Sequence, residues 1–187
     1  MGRDKAGLGF GGVTLACRLV ETLRGCASEV LVVGRGSEGL AVEDVTPLPD
    51  AYEDVGPLGG LLAGLRAMSG EIGIVVACDM PFLTPEFLSF VANRVGENDD
   101  GAIIRTERGV EPLCATYRKR LAPAIEAMIK DGKTAVNALT GIANIAFVDA
   151  SELERHGFEP RLWFNMNTPE DYEYALQLWK TGNDERR

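Results

Sequence analysis

The chain has 187 residues, 45% of them hydrophobic and 25% charged, enough for one domain with its own core. Its formal net charge of −9 excludes a broad electrostatic footprint for DNA or RNA, though not a nucleotide held by a few local cations and a metal. No apolar run reaches the ~18 residues of a membrane span, and no apolar leader is visible, so a cytoplasmic protein without membrane contact is expected.

The opening MGRDKAGLGFGG is rich in glycine and carries Arg3 and Lys5. Such a stretch ordinarily follows a strand and receives phosphate, yet no strand precedes it here. GVTLACRLVETLR (12–24) has apolar residues at helical spacing and stops at Gly25. EVLVVG (29–34) is a continuous apolar run ending in Gly, the pattern of a strand buried on both faces. LAVEDVT (40–46) is a weaker strand. PLGGLLAGLRAM (57–68) is a helix with Pro57 in its first turn.

IGIVVACDMPFL (72–83) is the clearest strand, running into Asp79. Thr84, Pro85 and Glu86 then start a helix. GAIIRT (101–106), PLCATY (112–117) and ANIAFV (143–148) read as strands, AIEAMIK (124–130) and TAVNAL (134–139) as helices. The final helix is NTPEDYEYALQLW (167–179), with Thr168 as N-cap and Asp171 completing a capping box. Strands and helices alternate through the first 95 residues. This predicts an α/β fold with a doubly wound, mostly parallel sheet, which binds ligands outside the carboxyl ends of its strands.

Asp79 sits at such an end. Mg²⁺ takes one or two carboxylates and completes its shell with water and phosphates, so one fixed Asp suffices as anchor; a turn or capping role is the alternative. Arg3 and Lys5 suit the charge that builds on a leaving pyrophosphate, unless they are merely solvated. The glycines of GPLGGLLAG (56–64), at the entry of a helix, permit close approach, either of a ligand or of the sheet. Asn165 and Asn167, two apart on an extended segment, point the same way and suit hydroxyls or phosphate oxygens; turn chemistry before a cap is the plainer reading. Four cysteines form no C-x-x-C pair and there is one histidine, His156, so a zinc ribbon, a multi-His metal site and a Ser or Cys triad are not expected.

Four blocks in order resemble the molybdenum cofactor guanylyltransferases. MGRDKA resembles the second half of their opening signature, PDAYEDVGPLGGLLAGL their Asp-then-Gly-Pro-Leu block, ACDMPFL the block with their magnesium Asp, and NMNTPED their C-terminal Asn-x-Asn-Thr-Pro-Glu-Asp. The resemblance spans the chain and implies a single nucleotidyltransferase domain over 1–187 of Rossmann-like type. The implied reaction is attack by the molybdopterin phosphate on the α-phosphate of GTP, releasing pyrophosphate, with Mg²⁺ as cofactor.

By the same resemblance Lys5, with Arg3 close by, contacts the phosphates; Asp50, Gly56, Pro57, Leu58 and Gly59 bind the nucleotide; Asp79 holds the metal. Asn165 and Asn167 face molybdopterin. Molybdoenzyme-assembly proteins are possible partners.

The chain departs from the family in two places. The family's first strand and Leu-Ala-Gly-Gly loop have no counterpart, so a domain lacking that strand is expected, with upstream residues encoding it. Gly34 stands where the family often has Asn. Alternatives are the related molybdopterin cytidylyltransferase, which has Asp-Gln-Pro where this chain has Asp79-Met80-Pro81, and a truncated, non-catalytic nucleotide-binding module.

Overall fold

The structure, a computed structural model, describes residues 6–34, 42, 45 and 47–184. Arg3, Lys5 and most of the strand expected at 40–46 lie outside the described residues.

The chain begins with a hairpin of β1 (Gly9–Phe10) and β2 (Val13–Thr14). Gly11 and Gly12 make its two-residue turn, both at positive φ (62° and 91°), where a side chain would strain the backbone. The glycines of the opening stretch are therefore partly spent on a turn. Helix α1 (Leu15–Arg24) follows, later than the expected start at residue 12 because Val13 and Thr14 pair in the hairpin. Thr14 caps it, its hydroxyl accepting from the Cys17 amide at 3.2 Å. The amides of Leu15 and Ala16 donate to the carbonyls of Leu8 and Ala6 (2.9 and 3.2 Å). The first amides of α1 are thus engaged by the chain itself rather than left open to an anion.

The expected strand at 29–34 narrows to β3 (Val32–Val33), because among the described residues only β4 (Pro47–Leu48) supplies a ladder beside it, in parallel. Helix α2 (Pro57–Ala67) leads to β5 (Ile72–Val76), and α3 (Pro85–Ala92) to β6 (Gly101–Thr106) and the long β7 (Gly109–Arg118). Then come α4 (Ala122–Lys130), a 3₁₀ turn at Val136–Gly141 in place of an expected α-helix, β8 (Ile145–Asp149), α5 (Ala150–Arg155) and α6 (Pro169–Asp184). The main sheet has the order β5-β7-β6-β8. β7 runs antiparallel to both neighbours, while β6 and β8 are parallel, so the sheet is mixed.

Helices cover both faces. Along β6, Ile103 faces the cluster of Leu58, Leu62, Tyr117 and Ile125, under α2 and α4. Its neighbours Ala102 and Ile104 face Phe87, Leu88, Val148 and Leu153, under α3 and α5. This period of two, with both faces apolar, is why GAIIRT reads as one uninterrupted run.

β5 is the edge of the main sheet, and among the described residues β3 pairs only with β4. Between the 30–34 segment and β5 lies a cavity of about 740 Å³, walled by Leu19 and Leu23 of α1 and Leu61 and Leu65 of α2.

Candidate functional site

Two cavities meet at the carboxyl ends of the strands, sharing Pro57, Ala77 and Leu113 in their walls. The smaller, of about 420 Å³, gathers Asp79, Glu111, Asn165 and Asn167, with Thr134 and Asn137 opposite.

Asp79 follows directly from β5. The Ala77 amide donates to the Leu113 carbonyl at 2.8 Å, which carries the ladder one residue past the strand. Met80 is buried, and Thr84 caps α3 by accepting from the Phe87 amide at 3.3 Å. The carboxylate therefore stands on a short segment fixed at both ends. The Met166 amide donates to the Asp79 carbonyl at 3.0 Å, bringing the C-terminal segment alongside. Met166 is buried with Phe10, Leu15 and Ala175, while its neighbours Asn165 and Asn167 both line the cavity. That is the alternation expected of an extended segment. The helix after it is held by the expected capping box: the Thr168 amide donates to the Asp171 carboxylate at 2.8 Å, and the Asp171 amide to the Thr168 hydroxyl at 3.1 Å.

Glu111 was not singled out from the sequence. It enters through an irregularity of β7: Ile103 pairs with Ala115, but Ile104 pairs with Glu111, leaving Pro112–Cys114 outside the β6 ladder. The buried Tyr117 hydroxyl donates to the Pro112 carbonyl at 2.8 Å and holds the bulge. Bulges re-aim side chains, and a proline inside a strand was the available signal. Asn165 Nδ2 donates to Glu111 Oε2 at 3.0 Å. Burial, and then the nearby charge of Asp79, hold the Glu111 carboxyl above its ordinary range, with the Asn165 hydrogen bond opposing them.

Asp50, Gly56 and Gly34 belong to the larger cavity. Asp50 lies against the first turn of α2: a Cβ added at Gly60 would come within 3.0 Å of Asp50 Oδ1. A carboxylate there is favoured by the helix dipole. Gly56, at φ 64°, gives the chain its turn into Pro57. Leu58 is fully buried in the core and Gly59 packs beneath the Tyr52 carbonyl, where a Cβ would approach to 2.8 Å. Neither lines the wall of either cavity, and the Gly59 backbone is engaged, its amide donating to the Gly56 carbonyl at 3.1 Å and its carbonyl accepting from the Ala51 amide at 3.2 Å.

The structure thus brings Asp79, Asn165 and Asn167 together and sets Asp50, Gly56 and Pro57 beside them. Among the described residues lining the two cavities there is no Lys or Arg. A phosphate entering between Asp50, Asp79 and Glu111 needs a cation beside it. No group of three or more His, Cys, Asp or Glu side chains able to hold a metal occurs among the described residues.

Residues 1–143 match the family model described as a MobA-like NTP transferase domain. The chain belongs to the MobA-like NTP transferase family. Its members are nucleotidyltransferases, as the four sequence blocks led us to expect. The chain is 33% identical over 186 residues to a Methanosarcina mazei protein named "Probable molybdenum cofactor guanylyltransferase", covering 92% of this chain and 82% of the relative. A Carboxydothermus hydrogenoformans protein of the same name is 30% identical, with 96% and 90% covered.

The crystal structure of molybdopterin-guanine dinucleotide biosynthesis protein A from Archaeoglobus fulgidus superposes with a TM-score of 0.80 at 25% identity, covering 96% of this chain and 92% of that one. A Thermus thermophilus cytidylyltransferase shares the fold alone, at a TM-score of 0.67 and 19% identity. The α/β nucleotidyltransferase fold expected of the sequence is therefore present. No helix among the described residues is long and apolar enough to cross a membrane.

Proposed function

We propose that this chain transfers GMP from GTP to molybdopterin with release of pyrophosphate, in the cytoplasm and with Mg²⁺. The observation that carries the reading is the meeting of Asp79 with the Asn165–Asn167 segment on one cavity, through the Met166–Asp79 backbone bond. The names of the family relatives support it.

Asp50, Gly56 and Pro57 hold the nucleotide in the larger cavity, with Leu58 and Gly59 behind them in the first turn of α2. The family resemblance assigns the phosphates to Lys5, with Arg3 close by. The smaller cavity takes molybdopterin on the Asn165 and Asn167 side. A molybdopterin phosphate oxygen attacks the α-phosphorus of GTP, the new P–O bond forms, and the bond to pyrophosphate breaks. No protein nucleophile is needed; the residues position the two phosphates in line and neutralise charge.

The site fits Mg²⁺, since Asp79 offers a hard oxygen on a cavity with room for phosphates. Asp79 is the residue that would hold the ion, which when bound supplies positive charge against the leaving pyrophosphate.

Pyrophosphate release tests this, with GTP, CTP and ATP each supplied with Mg²⁺ and molybdopterin. Turnover with GTP alone, lost in Asp79→Ala, is expected. Turnover with CTP would favour the cytidylyl reading. Binding of Mg-GTP without turnover would favour a nucleotide-binding module.

A further inference from the structure

Asn165 has little left to give a ligand. Its Nδ2 donates to Glu111 Oε2 at 3.0 Å, and its Oδ1 is enclosed without a partner among the described residues. Glu111 is placed the other way. One oxygen is held by Asn165, while Oε1 takes no hydrogen bond among the described residues and is open to the cavity. The bulge at Pro112 and its bond from Tyr117 fix the backbone from which this carboxylate projects.

An ionised carboxylate only accepts hydrogen bonds. Oε1 therefore calls for a donor, and beside Asp79 it disfavours a bare phosphate. Molybdopterin carries a 2-amino-4-oxopyrimidine ring whose amino group and adjacent ring N–H form a donor edge; guanine carries the same edge. Asp50 and Gly56 line the other cavity, so the ring that reaches Glu111 is the one on the Asn165 side.

Building on the proposed function, we infer that Glu111 recognises the 2-amino, N–H donor edge of the pterin, and that Asn165 is a positioning residue that acts by holding Glu111. A site with a fixed acceptor rejects a ring that lacks the matching donor.

The test uses the full chain and two small probes: pterin, and lumazine, which has a 2-oxo group in place of the 2-amino group. Binding is read by fluorescence quenching. The wild type is expected to prefer pterin by about tenfold, the scale of one hydrogen bond. Glu111→Gln, which offers an N–H to the 2-oxo group, should erase or reverse that preference while the melting temperature holds. Asn165→Ala should weaken the preference, and Glu111→Gln in the Asn165→Ala background should cost less than it does alone, because the two act as one unit.

Equal binding of both probes by the wild type, or a preference that survives Glu111→Gln, would overturn the inference. So would finding that Glu111→Gln abolishes discrimination between GTP and ITP, which lacks the 2-amino group, because the edge read would then be guanine. Pyrophosphate release from GTP and molybdopterin separates the two claims. Its absence alongside the pterin preference would sink the proposed reaction alone, and its presence without that preference would sink the role of Glu111 alone.

Discussion

The Met166 amide donates to the Asp79 carbonyl at 3.0 Å, and this bond joins the strand that carries the metal-binding candidate to the segment that carries both asparagines. Met166 is anchored from the other side as well, being 3% exposed among Phe10, Leu15 and Ala175. Met166→Ala is therefore expected to cost about 2–5 kcal/mol of stability, as other buried truncations do. It should also raise the KM for molybdopterin more than that for GTP. Urea unfolding and steady-state kinetics on one preparation check both.

Adjacent glycines of α2 make opposite demands. A methyl at Gly59 would meet backbone, the Tyr52 carbonyl at 2.8 Å, and Val55 at 2.9 Å. A methyl at Gly60 would meet no backbone: the Asp50 carboxylate lies at 3.0 Å and Val33 Cγ1 at 3.8 Å, an ordinary contact. Replacing Gly by Ala inside a helix gains about 0.5–1 kcal/mol, whereas overpacking costs about 1–3 kcal/mol. Gly59→Ala is expected to lower the melting temperature. Gly60→Ala should leave it unchanged or raise it while weakening nucleotide binding, measured by calorimetric titration with Mg-GTP. Equal thermal losses in both variants would refute the distinction.

Acid should loosen the loop ahead of α2. Arg66 (2.6 Å), the Tyr52 hydroxyl (2.9 Å) and Lys130 (3.2 Å) all contact the Glu126 carboxylate. Hydrogen bonds from Arg66, then Tyr52 and Lys130, draw its pKa from 4.5 down to about 2. A depressed carboxyl stabilises the fold fully above the unfolded value, and that contribution fades as pH falls from 4.5 toward about 2. Glu126→Gln should remove this part of the acid dependence, so the denaturation midpoints of variant and parent converge at the bottom of the range. Curves that stay parallel across it would refute the assignment.

Among the described residues β3 pairs only with β4 and β5 only with β7, so each leaves one edge facing the apolar side of the larger cavity. The first strand expected from the family resemblance would pair with both edges there, leaving the side lined by Gly34, Asp50, Gly56 and Pro57 to the nucleotide. Fusing an apolar five-residue strand and a glycine-rich turn ahead of residue 1 is expected to raise the melting temperature by about 5 °C or more. It should also slow hydrogen exchange at Val32 and Val33. Unchanged exchange in a folded fusion would mean that the slot takes no strand.

Features set by neighbours in sequence were legible in it. The apolar run into Asp79, the Thr168–Asp171 capping box and the side-to-side alternation of Asn165, Met166 and Asn167 need only local periodicity and cap chemistry. Features set by distant partners were not. Gly11 and Gly12 look like a phosphate loop until Val13 and Thr14 are seen to pair with Gly9 and Phe10. The 29–34 run resembles a full strand, but strand length depends on what lies alongside, and β4 offers two residues. Glu111 is the instructive omission. Its place depends on Tyr117 holding Pro112 and on Asn165 arriving from near the far end of the chain.

The hairpin at the start of the described chain is closed by its end: the Tyr172 hydroxyl donates to the Gly9 carbonyl, and Arg18 stacks 3.9 Å from the Trp179 ring. Assembly therefore has an order in time. A nascent chain emerging from the ribosome displays Asp50, Asp79 and Glu111 well before the 165–167 segment exists. The wall that carries Asn165 and Asn167 therefore closes only once α6 has been made and has docked on the hairpin and α1.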